Sequence, residues 1–98
     1  MQIPKKIKVG TKTYAIIRVK KARTKNTLAA IDYTHGIIWM ATHDEQGNKL
    51  SNEEMSDTFW HELTHAVLHD MNHVMCYDEK FVTAFANRLS YAVDSAQL

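Results

Sequence analysis

Ser51-Asn52-Glu53-Glu54-Met55-Ser56-Asp57-Thr58-Phe59-Trp60-His61-Glu62-Leu63-Thr64-His65-Ala66-Val67-Leu68 reads as a single helix with chemistry built into it. Ser51 followed three residues later by Glu54 is a capping box, and Glu53, Glu54 and Asp57 favour the positive end of the helix dipole. Met55, Phe59, Leu63, Ala66 and Val67 recur at helical spacing and give one apolar face, so the pattern predicts a helix over about 52–70. Inside it stands H-E-x-x-H. At about 100° per residue, His61 and His65 lie about 40° apart and one turn, about 5.4 Å, along the axis, where two imidazoles can hold one metal ion. Glu62 is rotated about 100° from His61, which suits a carboxylate that handles water better than one that fills a coordination position. Zinc lowers the pKa of a bound water from 15.7 to about 7, and Glu62 is then the candidate base.

A catalytic zinc site holds three protein ligands and leaves a fourth position open, so a third ligand is required. A metzincin would place glycine three and histidine six residues after His65; Leu68 and Met71 stand there. His69 lies about 12 Å along the axis from His61, too far for one straight helix to bring both onto one ion, and is expected to pack, cap or touch substrate. His73 and Cys76 follow the helix and would each need a sharp loop to return. Glu79 is the better candidate, because it opens a second periodic segment, Asp78 to Leu89, whose expected inner stripe is Phe81, Val82, Phe85, Leu89, Ala92 and Val93. A helix packed against the first would carry a first-turn glutamate towards the metal. Tyr77, Tyr91, His69 and His73 are the candidate donors to a developing oxyanion.

His61 to His69, HELTHAVLH, with Glu79, Phe85-Ala86 and Leu89 beyond it, resembles the ImmA/IrrE family of zinc metallopeptidases. The resemblance covers about residues 28–90. It implies zinc on His61, His65 and Glu79, Glu62 as general base, a reduced gluzincin (zincin-like) fold and hydrolysis of a protein or peptide substrate. Small phage-type members suggest a repressor or another regulatory protein as that substrate. The chain departs from the family pattern at Val82 and Thr83 and carries Thr64 where the family has glycine. That leaves open what orients the ligating histidines, with Asn87 a possible substitute. A weaker likeness, to SprT-type DNA-associated proteases, implies a third histidine, for which His73 is available.

Ninety-eight residues, 45% of them hydrophobic, suffice for one core, so one domain over 1–98 is expected. Lys6–Val9 and Thr13–Val19 flank Gly10-Thr11-Lys12, and Thr27–Ile31 and Gly36–Met40 flank Asp32–His35; both read as hairpins. The expected architecture is therefore α+β, with antiparallel strands followed by the H-E-x-x-H helix and a second ligand-bearing helix. Gly36–Met40, the strand just before the first helix, is expected to offer a free edge to an extended peptide. The polar loop Thr42–Lys49 is expected to be a mobile connection, with a lid over the cleft as the alternative.

No long apolar run and no charged-then-apolar leader is evident, so the chain is expected to be soluble, not membrane-bound. A lone cysteine, Cys76, fits a reducing cytoplasm and reads as a small apolar filler. Charge is segregated: nine of twelve basic residues fall between Lys5 and Lys25, before the first acid, Asp32. Arg18, Lys20, Lys21, Arg23 and Lys25 could grip phosphates. Protection of exposed strand edges explains them better, because Tyr14 is the only aromatic in the run and nucleic-acid surfaces interleave stacking groups. A non-catalytic zinc module, regulatory or nucleic-acid-associated, is the competing function.

Overall fold

A computed structural model describes residues 2–21 and 28–97. Arg23, Lys25 and Thr27 of the segments above lie outside them. Four strands, β1 (Lys6–Val9), β2 (Lys12–Val19), β3 (Ala29–Asp32) and β4 (Ile37–Ala41), precede helix α1 (Asn52–Asp70), a 3-10 turn (Val74–Tyr77) and helix α2 (Glu79–Ser95). The molecule is thus a small α+β structure with one four-stranded sheet and two helices.

Both expected hairpins form. β1 pairs antiparallel with β2 and β3 antiparallel with β4. What joins them is a parallel pairing of β2 with β4, giving the order β1-β2-β4-β3. This corrects the expectation of a free edge at Gly36–Met40. β4 is bonded on both sides, as its unbroken apolar run Ile37-Ile38-Trp39-Met40-Ala41 suits, and the edges are β1 and β3.

One sheet face packs on α1. Tyr14, Ile16, Ile38 and Met40 meet Met55, Phe59 and Ala66 in a common core, with Phe59, Ile38 and Met40 fully enclosed. The capping box at the start of α1 is complete: Glu54 N–H donates to Ser51 Oγ at 3.0 Å and Ser51 N–H to Glu54 Oε1 at 3.1 Å. At the far end Asn72 takes φ 51°, a left-handed conformation that asparagine tolerates. The N–H groups of Asn72 and His73 close onto the carbonyls of His69 and Leu68 at 3.0 and 2.9 Å, the pattern of a Schellman stop. That stop turns the chain back along α1.

α2 returns antiparallel to α1, and here the expected stripe is wrong in part. Its buried side is Val82, Ala86 and Ser90, one turn apart, whereas Phe85 and Leu89 are 48% and 37% exposed and Val93 and Ala92 are also exposed. Small residues at the contact let the two helices approach closely, so the larger side chains are displaced to the flank. There Phe81, Phe85 and Leu89 line an open apolar groove with Trp60, Leu63 and Val67 of α1. Val67, expected on the inner face of α1, belongs to this groove instead. Thr42–Lys49 is also tighter than expected. His43 and Lys49 pair across it, and Asp44 Oδ1 accepts the N–H groups of Gln46 and Asn48 at 3.0 and 2.8 Å. Among the described residues no helix is long and apolar enough to cross a membrane.

Candidate metal centre

The one-turn spacing of His61 and His65 on α1 sets their rings 5.0 Å apart between centroids. Asp78 caps α2 by accepting the N–H of Phe81 at 2.9 Å, which fixes Glu79 as the first residue of that helix, opposite the two rings. Its carboxylate divides between them: Oε2 lies 2.9 Å from His61 Nε2 and Oε1 lies 2.9 Å from His65 Nε2. Ligand atoms of all three residues fall within 4.8 Å of one another.

The donor set could hold a divalent metal ion, zinc among them. Two imidazole nitrogens and one carboxylate oxygen are three ligands of the kind a zinc site with one open position uses. The tautomer of His65 fits as well. Its Nδ1 lies 2.6 Å from the carbonyl oxygen of Cys76, which can only accept, so Nδ1 carries the hydrogen and Nε2 presents its lone pair to Glu79. A lone pair facing a carboxylate at 2.9 Å calls for a positive charge between them, a second proton or a metal ion. Cys76 also donates its thiol to the His65 carbonyl at 3.5 Å, so the two residues are tied reciprocally.

Glu62 is buried beside this group. Removal from water pushes its carboxyl up to about 7; His65 works in the opposite direction, and the Glu79 carboxylate adds to the rise. A buried carboxylate poised near neutrality is fitted to taking and returning a proton.

Several sequence expectations are resolved by position. Among the described residues, His73 does not join the cluster; its Nδ1 accepts the N–H of Met75 and caps the 3-10 turn. Asn87 lines a different groove, with Asn52, Asp57 and Tyr91 near the start of α1, and does not serve His65. The Cys76 carbonyl does that instead. Thr64 turns its hydroxyl back to the Trp60 carbonyl at 2.7 Å. Of the candidate oxyanion donors, Tyr91 stands beside Asn52, about 13 Å along the axis from His61. His69 is stacked on Tyr33 at 3.9 Å, and Tyr77 meets the same ring edge-on.

Tyr33 itself escaped the sequence reading, in which it was only a turn residue. Its hydroxyl lies 3.8 Å from Cys76 Sγ. Burial, then the Cys76 thiol, then the nearby Tyr77 and Glu62 hold its hydroxyl well above the usual tyrosine range, so it stays a donor. No local signal marks it, because the contact exists only once β3 is laid against α1. Compared with protein-family models, with curated proteins and with solved structures, the chain matches none of them.

Proposed function

We propose that the protein is a zinc-dependent metallopeptidase of small zincin-like build, the reading implied by the likeness of its two helical motifs to the ImmA/IrrE family. One observation carries the proposal: His61, His65 and Glu79 converge from two helices with the buried Glu62 beside them. Zinc, when bound, supplies a Lewis acid that makes water a nucleophile near neutral pH and polarises a carbonyl. Glu62 takes the proton from the attacking water and returns it to the leaving amine. His65, with Nδ1 committed to Cys76, keeps Nε2 available as a ligand. Tyr33, His69 and Tyr77 form an aromatic wall at the end of β3.

The position of β3 supports a peptide substrate. This strand is an edge strand that packs beside α1 and leads directly into Tyr33, so an extended peptide adding to its open side runs past the centre. A structural zinc site fills its four positions with protein ligands and needs no base; three ligands and Glu62 argue against the non-catalytic alternative. The test is hydrolysis of a quenched fluorescent peptide library by the zinc-loaded chain. Turnover that disappears in Glu62→Gln while zinc stays bound supports the proposal. Stoichiometric zinc with no turnover, or turnover indifferent to Glu62→Gln, rejects it.

A further inference from the structure

Strand register places a set of side chains on the sheet face turned away from α1. Lys6 is opposite Ala15 and Ala15 opposite Ile37; Ile17 is opposite Trp39. These residues alternate with Ile7, Tyr14, Ile16 and Ile38, which enter the core, so Lys6, Lys8, Ala15, Ile17, Ile37 and Trp39 share the outer face. Lys6 and Lys8 are exposed, Ile17 is 38% exposed, and Ile37 and Trp39 are half-buried. Among the described elements, α1 lies on the opposite face and α2 reaches only α1 and the 3-10 turn.

The electrostatics of this face are one-sided. Every charged residue before Asp32 is basic, and Lys20 and Lys21 stand exposed just past the end of β2. Edge protection accounts for Lys6 and Lys8 on the outermost strand. It does not account for Lys20 and Lys21 beyond an inner strand. Trp39 is level with Ile17, about 6.7 Å along the strands from Lys6 and about 9.5 Å across from β1, with Lys20 and Lys21 following in the other direction. The basic run lacks a stacking group in sequence; the parallel pairing of β2 with β4 supplies one in space. Asp32 is the acid at the β3 side of this face, and its carboxylate is engaged by His35 at 2.9 Å.

We propose that the outer face of the sheet binds single-stranded nucleic acid, one base stacking on Trp39 and the flanking phosphates lying on Lys6 and Lys8 to one side and on Lys20 and Lys21 to the other. Unpaired bases are required because a duplex hides the faces that stack, whereas a flat, basic, aromatic surface takes any base of a single strand. The site lies across the sheet from His61, His65 and Glu79 and stands apart from the peptidase reading.

The experiment is fluorescence anisotropy of the full chain with a labelled oligothymidylate of about twelve nucleotides and with a duplex of equal length, at about 50 mM salt and upward. The single strand is expected to bind more tightly than the duplex and to quench indole fluorescence. Trp39→Ala weakens binding about 5- to 150-fold, while Trp39→Phe, which keeps a ring and guards against loss of fold, retains most of it. Each of Lys6→Ala and Lys8→Ala lowers the slope of log K against log salt by about 0.7. Three results overturn the proposal: no binding at low salt, binding indifferent to Trp39→Ala, or self-association of the chain through this face. Zinc content of Trp39→Ala is expected to stay unchanged, so failure here leaves the metal centre untouched.

Discussion

His61 and Glu79, eighteen positions apart in the chain, meet Nε2 to Oε2 at 2.9 Å. The bond joins the middle of one helix to the first residue of the next, and the second carboxylate oxygen of Glu79 reaches His65 at the same distance. Either helix can therefore report on the other through whatever occupies the space between them.

Metal content separates the three ligands from their neighbours. His65→Ala and Glu79→Ala are expected to weaken zinc binding by more than about 100-fold, measured by competition with a chromophoric chelator. His73→Ala is expected to bind as the parent does, since His73 is committed to the Met75 N–H. Loss of zinc in His73→Ala with retention in Glu79→Ala would reverse the ligand assignment.

Glu62→Gln keeps the shape of the site and removes the proton acceptor. Peptide turnover is expected to fall about 10²- to 10⁴-fold with zinc still stoichiometric. Equal loss of zinc and of turnover would make Glu62 a ligand rather than a base.

The metal-free chain carries a pH signature from the same residue. Unfolded Glu62 titrates near its ordinary 4.5, folded Glu62 near 7. Between these values the folded state holds a proton that the unfolded state has released, so stability falls as pH rises from about 4.5 to about 7 and is flat in this respect above that. Melting temperatures of the metal-free parent and of Glu62→Gln across this window are expected to converge at low pH and separate at high pH, the variant being the more stable. Zinc, placing positive charge beside the carboxylate, is expected to shrink the difference.

Ser51→Ala removes the acceptor of the Glu54 N–H and opens the capping box that starts α1. A loss of about 1 kcal/mol is expected in denaturant unfolding. An unchanged midpoint would show that tertiary packing alone holds the helix start.

Short-range features were legible in the chain and long-range ones were not. Ser51 with Glu54, the 61/65 spacing and the acid opening α2 are local patterns, and each forms as written. Both hairpins are also local, joined by short turns. The pairing of Val19 with Ala41 is not, because nothing in either strand names its parallel partner. The stripe of α2 failed for a related reason: periodicity locates a face, but which flank of it is buried depends on how closely α1 approaches, and that favoured Ala86 and Ser90 over Phe85 and Leu89. Trp39 reached the basic face, and Tyr33 reached Cys76 and His69, through the same unannounced contacts.

The tie between His65 and Cys76 has a consequence for how this molecule is to be dissected. The acceptor is a peptide oxygen, present whatever side chain occupies position 76, so alanine scanning passes over it in silence. Only a change that displaces the main chain, such as lengthening the segment between Asn72 and Asp78 by one residue, withdraws that oxygen. An insertion there, touching no ligand, is the lesion that frees the imidazole to swing.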